Sequence, residues 1–201
     1  MKEKIISKIK KMAFLIGEMV DLVYKGFIEN DTHFLNMALN KERIMDDLEK
    51  DITGMVVEAS KGLTDEERKE YILFDLTAQS MERMGDELRY LMERIEIKIA
   101  ENLYFSDSGV EQYREVFDVM RRSVSLTVEF LEKEEGGLLE EISENGNKMK
   151  ALVEKYRKEH LGRVSKGACE PRACNMYFDM LDFTGNVARH CTNIARGYRE
   201  K

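Results

Sequence analysis

The chain has 201 residues, of which 43% are hydrophobic and 35% are charged, and its formal net charge is −7. Its lysines and arginines are scattered among acidic residues, which argues against binding to the phosphate backbone of nucleic acids. The single proline argues against a turn-rich β-protein, and the lack of any run of about 18 apolar residues argues against a membrane span. The odd cysteine count predicts reduced thiols and a cytoplasmic location.

Apolar residues recur every three or four positions through the first hundred residues, which predicts three amphipathic helices. The first covers about residues 3–27, and Asp31 or Thr32 caps the second, which runs to about residue 60. Thr64 and Glu67 form a capping-box pattern for the third, which ends near residue 101. Residues predicted to face inward include Met37, Met45, Leu48, Ile52, Leu73, Leu76, Met84 and Leu88.

A break at residues 102–109 separates these helices from three more. Ser106 to Ser108 predict a cap for the fourth helix, and Gly136 and Gly137 are expected to end it. The fifth helix is expected over about residues 138–160, a turn follows, and Pro171 opens the sixth. The predicted fold class is therefore all-α, with six long antiparallel helices in two three-helix bundles.

The two halves of the chain show signs of an internal duplication. A shift of 104 places Leu48 on Leu152, and a shift of 103 places Leu88 on Cys191. Nearly equal offsets in two separate helices indicate a repeat. We predict that residues 1–104 and 105–201 are the two repeats and that together they form one compact unit.

Two pairs of carboxylates stand four residues apart, Glu42 with Asp46 and Glu82 with Asp86. Residues at this spacing share one side of a helix, where like charges repel each other. The periodicity places Glu82 and Asp86 on the outside of the bundle. A bound hard cation such as Mg, Ca, Mn or oxidised iron would relieve the repulsion. Among 39 acidic residues such pairs also arise on solvated faces without any function.

Other chemistries have weaker support in the sequence. Cys169, Cys174 and His190 would suit zinc, but the wide spacing of the two cysteines favours ordinary packing. A carboxylate-bridged di-iron protein needs inward Glu-x-x-His motifs, which the sequence lacks. It also has no glycine-rich phosphate loop or nucleotide-binding fingerprint. The chain is therefore predicted not to be an enzyme.

Residues 81–86, Met-Glu-Arg-Met-Gly-Asp, resemble the Leu-Glu-Arg-Ile-Gly-Asp signature of PhoU-like proteins. Residues 160–164, 179–183 and 190–195 resemble the region of the family's second signature. This second region is similar in style to the cytoplasmic PhoU-like domain of sodium–phosphate cotransporters. The resemblance covers essentially the whole chain, including the six-helix duplication.

This resemblance implies a non-enzymatic cytoplasmic regulator of phosphate uptake, acting by contact with a phosphate transporter or its signalling proteins. It implies that the chain reaches the membrane only through that partner, and it is compatible with a homodimer. Family members carry Glu-x-x-x-Asp motifs that hold a surface metal cluster. A cluster of iron, zinc or manganese is thus expected on the first repeat only, and the alternative is a metal-free helical adaptor. By position the metal-binding residues are Glu42, Asp46, Glu82 and Asp86.

The second repeat departs from the family pattern at the equivalent positions, which are Gly146, Lys150, Gly185 and Arg189. Fixed positive charges repel a metal cation, so no second cluster is expected. We expect Lys150 and Arg189 to attract anions or to pair with acids such as Glu144 or Asp182, unless they serve no specific purpose.

Overall fold

The computed structural model describes residues 1–167 and 171–200. The described residues form helices α1 to α6 and contain no β-strand, which confirms the all-α prediction. None of these helices is both long and apolar enough to cross a membrane. The bounds of α1 to α6 are, in order, Lys2–Glu29, Thr32–Ala59, Asp65–Ala100, Asp107–Lys133, Gly136–Ser165 and Pro171–Arg199.

Local side-chain caps fix three of the helix starts. The Asp31 carboxylate accepts a hydrogen bond from the backbone N–H of His33 at 2.8 Å at the start of α2. Thr64 and Glu67 form the predicted capping box at the start of α3. Ser106 accepts the backbone N–H of Gly109 at the start of α4. Each cap satisfies a backbone donor that the first helical turn leaves open, so the predicted starts are confirmed.

The junction between α4 and α5 differs from the prediction. Gly136 and Gly137 were expected to end α4, but they open α5. The chain leaves α4 at Glu134, which takes a left-handed conformation with φ of 57° and donates its backbone N–H to Phe130. Helix α5 also continues to Ser165, past its predicted end near residue 160. Helix α5 can begin at Gly136 and continue through Gly162, because a glycine inside a helix costs only about 1 kcal/mol, which packing readily offsets.

The helices pack as two equivalent sets of three. Helices α1, α2 and α3 contact one another, as do α4, α5 and α6, and the sets meet through α1–α4 and α3–α6. Asn30 at the end of α1 and Glu134 at the end of α4 both adopt the left-handed conformation, and their numbers differ by 104. Equivalent packing and an equivalent junction support the predicted duplication. The placement of the boundary at residue 104 stays a prediction.

The core confirms most of the predicted inward residues and corrects two. Tyr113, Phe117 and Tyr177 are among its largest fully buried side chains. Met37 and Leu76 were expected to face inward, but 42% and 52% of their surfaces are exposed. In α2 the buried stripe is shifted by one position from Met37 and passes through Leu35, Ala38 and Glu42. A carboxylate therefore takes one place on the buried face of α2.

Candidate functional site

The two predicted carboxylate pairs lie in the groove between α2 and α3, which we call the acidic groove. Glu42 and Asp46 stand on α2, and Glu82 and Asp86 stand on α3. The charges of Asp46 and Asp86 both act on Glu42, and the same two charges act on Glu82. The packing of α2 against α3 therefore brings together two pairs of carboxylates that lie about 40 residues apart in the sequence.

The carboxylates of the acidic groove are more buried than the sequence predicted. Only 7% of the surface of Glu42 is exposed, and Asp46, Glu82 and Asp86 are half-buried. Gly85 is buried beside Glu42, since a Cβ added to it would lie 3.9 Å from the Glu42 Cγ. The periodicity placed Glu82 and Asp86 on the outside of the bundle, and they are half-buried, whereas Glu42 is buried because its position belongs to the buried stripe of α2.

Burial and mutual repulsion change the acidity of two of these carboxyl groups. The pKa of Glu42 is raised, first by burial and then by the charge of Asp46. The pKa of Glu82 is also raised, first by burial and then by the charges of Asp86 and Asp46. Each of these shifts means that the folded protein disfavours the ionised carboxylate at that position. Positive charge in the groove therefore stabilises it.

Arg89 supplies positive charge to the acidic groove from one turn further along α3. Its Nε donates to Glu42 Oε1 at 3.1 Å, and its Nη2 donates to Asp86 Oδ1 at 2.8 Å. Its Nη1 donates to Glu93 at 3.2 Å, and its guanidinium lies 4.5 Å from the centre of the Tyr90 ring. Hydrogen bonding to Asp86 raises the pKa of Arg89, so it is positively charged. Arg89 was not predicted as a site residue, although its three-residue spacing from Asp86 was a signal for it.

The donor set of the acidic groove fits a hard cation, because carboxylate oxygens are the preferred ligands of such ions. Across the described residues, no three His, Cys, Asp or Glu side chains converge closely enough to hold a metal ion. Arg89 instead holds Glu42 and Asp86, one carboxylate from each helix. Metal binding at Glu42, Asp46, Glu82 and Asp86 stays a prediction, and Arg89 already takes one oxygen of Glu42 and one of Asp86.

The cysteines give no support to the zinc alternative. Cys174 is disulfide-bonded, so the prediction of reduced thiols is wrong at this position and no thiolate is available there. Burial raises the pKa of the free Cys191 thiol to about 12, which keeps it protonated. Cys169 lies outside the described residues. His190 is buried, and burial with the charges of Arg189 and Arg83 lowers its pKa to about 4.

The equivalent positions of the second repeat surround a cleft between α5 and α6, which we call the α5–α6 cleft. Gly146, Lys150, Gly185 and Arg189 all line it. Asp182, which the sequence offered as a partner for the two cations, pairs with Arg157 instead. In the described part of the chain, neither Lys150 nor Arg189 forms an ion pair. The structure thus groups the altered positions at one site, as it groups the acids of the first repeat.

Comparisons with known proteins find a family model that matches part of the chain and solved structures with a similar fold. Residues 9–95 match the family model of the PhoU domain, whereas no curated protein matches the sequence. The fold is similar to the crystal structure of PhoU from Pseudomonas aeruginosa, with a TM-score of 0.88 at 16% identity, over 99% of this chain and 97% of that one.

A second solved structure is similar along nearly the whole chain. It is the phosphate transport system regulatory protein PhoU from Streptococcus pneumoniae, with a TM-score of 0.85 at 13% identity, over 97% of this chain and 91% of that one. At such identities the likeness shows the fold. The family match covers all four residues of the acidic groove.

Proposed function

We propose that this chain, a PhoU-like protein by its family match and its fold, regulates phosphate uptake by contact with a phosphate transporter or its signalling proteins. Members of the PhoU family are regulatory proteins and not enzymes. The observation that carries the proposal is the match of residues 9–95 to the PhoU domain, supported by a shared fold along the whole chain. The proposed location is the cytoplasm, with the membrane reached only through the partner.

The proposal includes a metal site in the acidic groove. Glu42, Asp46, Glu82 and Asp86 would hold iron, zinc or manganese, and the metal charge would offset the repulsion that raises the pKa of Glu42 and Glu82. In this proposal Arg89 is the counterion of the metal-free protein, because it already binds Glu42 and Asp86. Metal and Arg89 would then compete for the same carboxylates.

A metal-free helical adaptor is the second candidate, and Arg89 is the observation that favours it. Its guanidinium contacts three carboxylates and satisfies part of the groove without any metal. Under this alternative the groove only joins α2 to α3, and the regulatory contact lies elsewhere on the bundle. Either candidate is compatible with a homodimer.

The first experiment is elemental analysis of the purified protein after iron, zinc and manganese have each been offered. We expect stoichiometric metal in the wild type and none in Glu82→Ala/Asp86→Ala. The matched control is Asp47→Ala/Asp51→Ala, which removes two exposed acids at the same spacing on α2 and should keep the metal. A wild-type protein that takes up none of the three metals would rule out the metal site and leave the adaptor.

The regulatory proposal needs a separate measurement in cells. We expect cells that lack this chain to take up radiolabelled phosphate at an altered rate, which reintroduction of the wild type restores. Unchanged uptake would overturn the regulatory function, whatever the metal content. Restoration by Glu82→Ala/Asp86→Ala would retain the regulator and reject a role for the metal.

A further inference from the structure

The α5–α6 cleft has a volume of about 460 Å³, within the range of sites for metabolite-sized ligands. Its walls are largely apolar and include Met149 and Val153. Lys150 on α5 and Arg189 on α6 are exposed and contribute positive charge from both sides. Asn147 and Thr192 add neutral polar groups. The cleft therefore combines an apolar surface with paired cations.

Small side chains create this space. A shift of 103 places Thr192 on Arg89, so a short hydroxyl side chain stands where a guanidinium fills the acidic groove. Gly146 stands at the position of Glu42, and a Cβ added to it would overlap the Thr192 hydroxyl. Helices α5 and α6 approach closely at this contact, and the loss of three long side chains leaves the cleft open beside it.

The charges of the cleft are available to a ligand. Lys150 and Arg189 make no ion pair with any residue that the structure describes, and the carboxylate of Asp182 is neutralised by Arg157. Glu154 also lines the cleft, one helical turn beyond Lys150, so its negative charge lies toward one end. The cations that can meet a ligand are therefore Lys150 and Arg189, and the charge of Arg189 also acts on Glu87.

We infer that the α5–α6 cleft binds an organic phosphate, with its phosphate group between Lys150 and Arg189 and its apolar body against Met149 and Val153. A guanidinium and an ammonium together match a dianionic phosphate, and neighbouring amide and hydroxyl groups donate to its remaining oxygens. An inorganic anion would leave most of a 460 Å³ cleft unfilled. This site is separate from the acidic groove and does not depend on the proposed regulation of uptake.

The test is isothermal titration calorimetry of protein treated with EDTA, so that no metal in the acidic groove holds the phosphate. The probes are adenosine monophosphate, adenosine and orthophosphate. We expect adenosine monophosphate to bind with one-to-one stoichiometry and at least tenfold more tightly than either other probe. Lys150→Gln/Arg189→Gln should weaken it by about tenfold for each cation removed, since one charge-assisted contact is worth roughly that factor.

The matched control is Lys148→Gln/Arg196→Gln, which removes the same charge from exposed positions of α5 and α6 outside the cleft. It should bind like the wild type, and thermal melting should show that both variants fold. No binding of adenosine monophosphate, or equal binding by Lys150→Gln/Arg189→Gln, would overturn the inference. Equally tight orthophosphate would overturn the role of the apolar walls.

Discussion

The acidic groove and the α5–α6 cleft occupy equivalent places in the two repeats, but the charged residues at their equivalent positions have opposite signs. Glu42, Asp46, Glu82 and Asp86 surround the first site, whereas two glycines, Lys150 and Arg189 surround the second. Equivalent helix pairs frame the two sites, α2 with α3 around the acidic groove and α5 with α6 around the cleft. A few side chains therefore decide what such a groove holds, while the helix packing stays the same.

The exchange of Arg89 for Thr192 contributes most to the difference. Arg89 reaches across the acidic groove and bonds to both of its walls. Thr192 donates its hydroxyl to the Ala188 carbonyl of its own helix and leaves the space beyond it empty. One groove is therefore closed by its own counterion, and the other is open to a ligand.

The largest expected effect is on the pH dependence of stability, and it concerns His190 and Glu87, which a shift of 103 places at equivalent positions. Burial lowers the pKa of His190 to about 4. The unfolded chain takes up this proton near pH 6.5, so the stability that neutral His190 contributes is complete above pH 6.5 and is lost as the pH falls toward 4. We expect a loss of about 2 kcal/mol between pH 7 and pH 5, measured by urea denaturation.

The variant His190→Gln should remove most of this loss of stability at acidic pH, while His33→Gln, at an exposed histidine, should keep it. Glu87 should act with the opposite sign, because burial raises its pKa and its contribution to stability falls as the pH rises above about 4.5. An acid-side loss in His190→Gln as large as in the wild type would contradict the prediction.

The second prediction concerns the counterion of the acidic groove. Arg89→Ala leaves the buried Glu42 and half-buried Asp86 without their shared partner. In metal-free protein at pH 7 we expect a loss of about 1.5 kcal/mol, because charged hydrogen-bonding partners are left unpaired. Urea denaturation measures this change.

Arg122→Ala is the control for this loss, because it breaks an exposed ion pair with Glu141 and should change stability by less than about 0.5 kcal/mol. Adding Glu42→Gln to Arg89→Ala should recover part of the stability. Equal losses for Arg89→Ala and Arg122→Ala would mean that the groove does not need its counterion.

The third prediction tests the close contact that borders the α5–α6 cleft. Gly146→Ala places a Cβ against the Thr192 hydroxyl and should destabilise the protein by about 1 kcal/mol. Gly162→Ala in the same helix meets no atom within 4 Å and should stabilise it by about 0.5 kcal/mol, because alanine favours the helix. Thermal denaturation compares the two, and a gain from both substitutions would show that α5 and α6 separate without cost.

The smallest expected effect is on the stability that side-chain caps give to the first turns of α2 and α5. Asp31 caps α2 with its side chain, whereas Glu135, which a shift of 104 makes equivalent, forms no such bond. Glu135→Ser should gain about 0.5 kcal/mol by supplying a cap, and Asp31→Ala should lose about 1 kcal/mol. Thermal melting measures both changes, and a loss on Glu135→Ser would indicate that this glutamate has another stabilising role.

Local signals made much of the fold predictable from the sequence. The caps at Asp31, Thr64 and Ser106 act within a few residues, so sequence spacing identified them. Core positions followed from helical periodicity. The start of α5 and the exposure of Met37 were not predictable in this way, because packing between helices decides them.

The sequence predicted which residues form the acidic groove, but it did not predict their burial or their contacts with other helices. The spacing of Glu42, Asp46, Glu82 and Asp86 identified the acids, but the burial of Glu42 depends on how α2 rotates against α3. The bond from Arg89 to Glu42 crosses from α3 to α2, so single-helix patterns did not reveal it. The α5–α6 cleft could not be found from the sequence because it is a volume left by missing side chains.

One hydrogen bond joins the two repeats beside both sites. Asn186, which lines the α5–α6 cleft, donates to Glu87 at 3.1 Å, and Glu87 is next to Asp86 in α3. The charges of Asp86 and Arg189 both act on Glu87. By thermodynamic linkage, if occupancy of one site changes affinity at the other, the reverse effect has the same factor. The bond between Asn186 and Glu87 is therefore the contact through which a cation in the proposed metal site would influence an anion in the proposed phosphate site.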